Sequence, residues 1–341
     1  MAPLTMPFKV PEALNADRPP ERRGLRRDHV RMLVTERGTG LTHDDVFYRL
    51  PDYLKPGDLV VLNNSRTIPA VLRGRAIASG RPVEIRLARP VHAAVWEAMI
   101  VTDGVQPGDE IVLSTGVTIR IGSKGRRSPF HSIEFSLAGE ALWNAIYEAG
   151  EPVRYEYIHE PWPLSDYQTV FGAVPGSVEM PSAGRPFSWE LLQRLREKGI
   201  GIGFLQLHTG LSYVPDEPYP VSPKENTEAY HIPTETIARI RAAKERAGRV
   251  IAVGTTVVRA LETAAMSGDF EKPLGTTNLY IDASFALKVV DGLITGLHEP
   301  ESTHLDLLTA FLDAASIETI YRDAVAKGYL WHEFGDVHVI L

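Results

Sequence analysis

The chain of 341 residues contains no cysteine. That absence excludes disulfides, thiolate zinc sites, iron–sulfur clusters and cysteine nucleophiles together. Chemistry must therefore come from histidine, carboxylates, hydroxyls and arginine. No apolar run approaches the roughly 20 residues that a bilayer-spanning helix requires, and the N-terminal MAPLTMPFKV has no basic stretch leading into an apolar one. A soluble, non-exported, cytoplasmic protein is expected. Neither GxxxxGK[ST] nor GxGxxG nor HExxH occurs, and no Asp/Glu/His metal-ligand spacing emerges, so neither a P-loop, a dinucleotide site nor a metal is expected. Internal repeats and low-complexity segments are absent too.

What is present is ordinary for a globular protein: 44% hydrophobic and 23% charged residues, enough for one large core or two smaller ones. The net charge of −7 argues against a large nucleic-acid footprint, because Lys and Arg neutralise phosphates. A local footprint stays open in RPPERRGLRRDHVRMLVTER, where Arg18, Arg22, Arg23, Arg26, Arg27 and Arg31 cluster; a solvated arginine-rich loop and strand fits equally well.

Residues 71–135 read as short β-rich runs split by turn signals (AVLRGRA, RPVEIRLAR, VWEAMIV, DEIVLS, VTIRIG, HSIEFSL), the spacing of a small antiparallel barrel or sandwich. After Tyr157 the texture changes. Helical patterns over 189–198, 234–247, 256–267, 302–312 and 316–327 alternate with short strands: GIGFLQLH, RVIAVG, TNLYI, FALKVV and DVHVIL. Such alternation predicts an α/β body with a helix-covered sheet, and the early run Leu59 to Leu62 belongs to it as a buried strand.

Three stretches carry the candidate chemistry. In EMPSAGRPFSWELL, Ser182, Ala183 and Gly184 leave backbone uncovered, and Ser188 is a natural N-cap for the helix that follows. RVIAVGTTVVRALETAA reads as strand, Gly254-Thr255-Thr256 turn and helix, an arrangement that aims free N–H groups at an anion; a simple capped turn fits the spacing as well. DGLITGLHEPESTHLDLLTAFL places His298 after a strand and Ser302 as a helix cap. His208, Tyr167, Gln168 and Glu228 are further polar positions, each equally at home in a structural role.

Taken in order, LPDYLKPGDLVVLNNSRTIPAVLRG, DYQTVFGAVPGSVEMPSAGRPFS, LQLHTG, RVIAVGTTVVRALE, LITGLHEPESTHLDLLTAF and EFGDVHVIL resemble the successive motifs of the S-adenosylmethionine:tRNA ribosyltransferase-isomerase (QueA) family over nearly the whole chain. The resemblance implies a large α/β/α domain built from both chain ends (1–66 and 156–341) with an inserted antiparallel β-barrel domain (67–155). It implies S-adenosylmethionine as substrate, with no metal. The ribosyl moiety passes to the aminomethyl group of a 7-deazaguanine base in tRNA, giving epoxyqueuosine and releasing adenine and methionine. By motif position it makes Glu228, His298 and His208 the proton-transfer candidates. Gly254, Thr255, Thr256, Arg259, Ser302 and Thr303 become the S-adenosylmethionine-binding candidates, and Tyr167, Gln168, Thr169, Ser182, Gly184 and Arg185 the acceptor-binding ones.

The chain departs from the family pattern at several points. Arg185-Pro186 replaces Leu-His, Glu225-Asn226-Thr227-Glu228 replaces Met-His-Ser-Glu, Tyr157-Ile158-His159-Glu160 replaces Tyr-Ile-Lys-Arg, and Gly296-Leu297-His298-Glu299-Pro300 replaces Asn-Phe-His-Leu-Pro. These changes leave an alternative open: a paralogue using S-adenosylmethionine with a small-molecule acceptor, or as sole substrate in a cyclase or lyase reaction. A non-catalytic binding protein is the third class, and it gives no chemical reason for Glu228, His208 and His298 to occur together. Oligomeric state is not legible.

Overall fold

The computed structural model describes residues 5–341 apart from 126–128, 212–226, 267, 269 and 271; Glu225 and Asn226 thus lie outside the described residues. After three short 3-10 turns the chain forms β1 (Arg31–Thr35), β2 (Thr42–Val46), helix α1 (Leu50–Tyr53), β3 (Leu59–Asn63) and β4 (Ser65–Thr67). There follow β5 (Val71–Ala76), β6 (Pro82–Pro90), β7 (Val95–Ile100), β8 (Glu110–Leu113), β9 (Thr118–Lys124) and β10 (Phe130–Phe135). These six close on themselves in the order β5-β6-β7-β10-β9-β8 and back to β5, every pairing antiparallel. Closure removes the free edges that an open sheet would expose. Helix α2 (Gly139–Ala149) and β11 (Gly150–Glu151), which pairs with the start of β5, lead out of the barrel. The barrel has its own apolar interior, with Ile85, Leu87, Ala98, Ile119 and Phe130 among its fully buried members.

The chain then adds β12 (Val174–Ser177), α3 (Trp189–Glu197), β13 (Gly201–Leu207), β14 (Glu228–His231), α4 (Thr234–Glu245) and β15 (Val250–Val253). It ends with α5 (Thr255–Met266), β16 (Leu274–Thr277), β17 (Gly292–Gly296), α6 (Thr303–Leu308), α7 (Ala314–Ala326) and β18 (Val337–Ile340). Nine strands make one mixed sheet in the order β16-β14-β13-β3-β15-β17-β18-β1-β2. Its middle four, β13, β3, β15 and β17, run parallel. Strand β3 is buried at every residue, as a strand covered on both faces must be. Leu59 and Val61 pack with Val257, Leu261 and Ile240 of α5 and α4. Val60 and Leu62 on the opposite face pack with Leu191 and Leu195 of α3. Each fully buried Leu or Val contributes about 1.5–3 kcal/mol, so both helical layers are firmly held. Ser188 caps α3 by accepting a hydrogen bond from the Leu191 amide.

Two expected strands are not strands. In FALKVV the amides of Lys288, Val289 and Val290 donate to the buried Glu262 carboxylate of α5, at 2.8, 3.0 and 3.0 Å, so the segment is held by a side chain instead of a ladder. In TNLYI the sheet stops at Thr277, whose hydroxyl accepts from the Leu279 amide and turns the chain away. The helix expected over 302–312 stops at Leu308. No helix among the described residues is long and apolar enough to cross a membrane.

Candidate active site

Because β13, β3, β15 and β17 are parallel, their carboxyl ends meet on one edge of the sheet, the place where open α/β sheets form crevices for ligands. His208 follows β13, Ser65 follows β3, Gly254 follows β15 and His298 follows β17. Strand β14 is antiparallel to β13, so its first residue, Glu228, reaches the same edge.

At Gly254 the chain passes from β15 into α5 with φ 93°, in the left-handed region that glycine adopts without penalty. The Gly254 amide is fixed on the Ile294 carbonyl at 2.8 Å, and its carbonyl accepts from the Val257 and Val258 amides. The 3-10 turn Ser182–Gly184 crosses this helix start, with the Ala183 methyl 3.6 Å from where a Gly254 Cβ would stand. One turn into α5, Arg259 pairs with the buried carboxylate of Glu228. Sequence reading treats these two as an anchor and a proton-transfer group; the fold makes them one ion pair. Behind them the Thr263 and Thr277 hydroxyls share a hydrogen bond of 2.7 Å.

On the adjoining wall Ser302 caps α6, its hydroxyl accepting from the His304 amide and lying 3.0 Å from His304 Nδ1; Thr303 is the first residue of α6. The His298 and His304 rings lie 4.6 Å apart, and His298 Nε2 is 2.7 Å from the buried Thr295 hydroxyl. The His298 carbonyl accepts from the Trp331 indole at 3.2 Å. Burial, aided by the neighbouring histidines, holds His298 well below the usual imidazole range, so it is neutral at pH 7. Desolvation by the surrounding protein and the Arg259 guanidinium push His304 down to about 4, although the residue is exposed at the surface. Next to this pair the Tyr280 hydroxyl donates to the buried Asp306 carboxylate.

His208 anchors a third group. Its Nδ1 is 2.7 Å from Ser65 Oγ, which lies 2.6 Å from Ser177 Oγ. Gly176 is there because a Cβ would come within 2.5 Å of His208 Nδ1. Burial lowers the His208 pKa. The edge thus gathers neutral imidazoles, a carboxylate–guanidinium pair and a helix start, a set able to bind a zwitterion and move protons.

The acceptor-binding candidates lie beside this edge and are more deeply set. Arg185 is 2% exposed, donating to the Asp166 carbonyl at 2.8 Å and pairing with Glu21 at 3.0 Å. Gln168 commits its amide to the backbone of Thr67, accepting at 3.1 Å and donating at 2.8 Å, and so acts as a clamp on β4. Tyr167 and Thr169 are buried, and neither hydroxyl has a hydrogen-bond partner among the described residues. Gly184 is buried against Phe171, and Ser182 is half-buried.

The arginines of the rich segment all have partners within the chain. Arg18 pairs with Asp17, Arg22 with Asp166, Arg26 with Asp28 and Glu190, and Arg27 with Glu21, while Arg23 and Arg31 donate to the carbonyls of Phe334 and Lys327. Sequence reasoning missed His304, Ser65, Asp306 and Glu333. The ST-H run after His298 carried a signal for His304; nothing local marked the others.

Comparisons with known proteins identify the family. A profile of the family described as queuosine biosynthesis protein matches residues 5–340. A protein of Thermosynechococcus vestitus named S-adenosylmethionine:tRNA ribosyltransferase-isomerase is 38% identical, covering 97% of this chain and 95% of its own length. One of the same name from Thermotoga maritima is 35% identical over 98% of both chains. The crystal structure of an S-adenosylmethionine tRNA ribosyltransferase from Thermotoga maritima is similar in fold, with a TM-score of 0.56 and 29% identity over 98% of this chain and 99% of that one.

Proposed function

The chain belongs to the queuosine biosynthesis protein family, and from that membership we propose that it is an S-adenosylmethionine:tRNA ribosyltransferase-isomerase. It moves the ribosyl moiety of S-adenosylmethionine to the aminomethyl group of a 7-deazaguanine base in tRNA, giving epoxyqueuosine and releasing adenine and methionine. A tRNA substrate places it in the cytoplasm.

The observation that carries the role assignment is the shared carboxyl edge of β13, β3, β15 and β17. The reaction needs a base near C5′, where the sulfonium acidifies the C–H, an acid for departing adenine, and an anchor for the methionyl zwitterion. The amides of Thr255 and Thr256 and the guanidinium of Arg259 suit the methionyl carboxylate, and Glu228, already opposite Arg259, suits its ammonium. Ser302 and Thr303, at the start of α6, are the remaining candidates for this binding site. His298, held neutral at pH 7, is the first candidate for the base, with His208 the second proton carrier.

Incubating the protein with S-adenosylmethionine, with and without tRNA carrying the aminomethyl-7-deazaguanine base, and following adenine and methionine by chromatography tests this function. The expected result is release of both that depends on the tRNA. Release independent of tRNA, or none in its presence, overturns it.

A further inference from the structure

The turn between α7 and β18 is built to hold one side chain in place. Trp331 is fully buried and bound at its amide, carbonyl and indole N–H; Phe334 packs on Tyr167 with its carbonyl on Arg23; Asp336 accepts from the amides of Leu330 and Arg31. Between these anchors His332 is forced to φ 71°, a conformation that costs a non-glycine residue about 1–3 kcal/mol and clusters at functional positions. Its ring stacks on Tyr157 at 4.3 Å. The residue so presented is Glu333.

Glu333 Oε2 is buried with no hydrogen-bond partner among the described residues, and so is the hydroxyl of Tyr167, a side chain 1% exposed. A buried acceptor and a buried donor without partners are each costly unless something else completes them. The Tyr167 ring lies 5.2 Å from that of Phe334, the residue after Glu333; the Glu333 carboxylate raises the Tyr167 phenol, and Arg185 acts on both groups. Arg185 ends the Ser182–Gly184 turn that packs on Gly254, so the group adjoins the candidate S-adenosylmethionine pocket.

Resting on the proposed function, we infer that Glu333 and Tyr167 form the subsite that reads the acceptor base by its guanine-type edge. The Glu333 carboxylate accepts from the ring N–H and the 2-amino group, and the Tyr167 hydroxyl donates to the 6-oxo group. This hydrogen-bonding edge of a base becomes accessible only when the nucleotide leaves its stack. In the empty site, burial and the neighbouring Glu179 push Glu333 up to about 8, against the opposing charge of Arg185, so it is protonated at pH 7. Tyr157 and Tyr167 are neutral there, held above the usual phenol range by burial. Binding a base with two N–H donors therefore releases a proton from Glu333.

The test uses anticodon stem-loops carrying the aminomethyl-7-deazaguanine base or its counterpart lacking the 2-amino group. Wild type is expected to prefer the former by at least about 100-fold in kcat/KM, because a site built for a donor rejects a ligand lacking it. Glu333→Gln should raise KM for the first acceptor about 10- to 100-fold, abolish most of the preference, and leave S-adenosylmethionine affinity unchanged. Calorimetry in buffers of different ionisation heat should register proton release on acceptor binding to wild type and none to Glu333→Gln. Tyr167→Phe guards against misfolding: losing an orphaned hydroxyl should leave the melting temperature equal or higher while acceptor KM rises several-fold. Native KM and preference in both variants overturns the inference while the proposed function stands. A wild type that releases no adenine with acceptor tRNA overturns the function itself.

Discussion

His298 is the residue on which the proposed chemistry turns, because a base must be unprotonated to act. With its pKa held below the usual 6.5, its acid limb lies below pH 6.5; in turnover at saturating acceptor, where Glu333 has already given up its proton, no acid limb should appear at or above pH 7, and one there contradicts the assignment. His298→Gln keeps a polar group near Thr295 and removes the proton acceptor, so turnover should fall about 10²- to 10⁴-fold with S-adenosylmethionine affinity retained. A second histidine acts on stability instead. His338 is fully buried, 2.9 Å from the Thr35 hydroxyl, and burial lowers it to about 3. The unfolded chain binds this proton below pH 6.5 and the folded one only near pH 3. The contribution of this residue is therefore complete above 6.5 and falls by about 1.4 kcal/mol per unit as pH drops through that window, on top of what the other depressed histidines contribute. Denaturant titrations between pH 7 and pH 5 measure the slope, and His338→Phe should make it shallower by up to about 1.4 kcal/mol per unit. At this scale the sequence displayed the turn residues and caps, since Gly254, Ser188 and Ser302 act locally. It could not display the Glu228–Arg259 pair or the Ser65–His208 contact, whose partners are 31 and 143 positions apart and meet only through the sheet.

Among elements, α5 does the most. Its first residues form the candidate binding turn, Arg259 sits one turn on, and Glu262 holds three amides of the 288–290 segment. Glu262→Ala leaves those donors without a partner, at about 1–3 kcal/mol each, so a loss of at least about 3 kcal/mol is expected in denaturant unfolding. A loss under 1 kcal/mol contradicts the clamp. Gly254→Ala meets only ordinary van der Waals neighbours at 3.5 and 3.6 Å, so its cost is conformational, about 1–2 kcal/mol for a left-handed residue. That cost should appear as weaker S-adenosylmethionine binding together with a lower melting temperature. The failed reading of FALKVV as a strand has the same origin: its β-type pattern is real, but a carboxylate arriving from α5 satisfies its amides first. Hydrophobic periodicity reports what a segment buries and is silent about a side chain from elsewhere that takes its backbone.

For the whole molecule, the change of texture near Val71 reflects a barrel with its own core beside a body whose sheet draws strands from both chain ends. Such a division is legible because each core imposes its own period on the residues that fill it. Strand order is not, since β3 lies between β13 and β15 in the sheet and far from both in sequence. The arginine-rich stretch marks the same limit: composition counts guanidinium groups, and only the fold shows that Glu21, Asp28, Asp166 and Glu190 already pair with several of them. Arg22→Ala and Arg26→Ala should therefore leave tRNA affinity, and its slope against log salt, essentially unchanged in a gel-shift titration. A slope smaller by about one for either variant means that its guanidinium neutralises a phosphate. The central claim is that the carboxyl edge of the four parallel strands holds S-adenosylmethionine. It is tested most directly by soaking crystals with that ligand: the methionyl carboxylate should lie against the amides of Thr255 and Thr256 with C5′ facing His298, and density for the ligand anywhere else would contradict it.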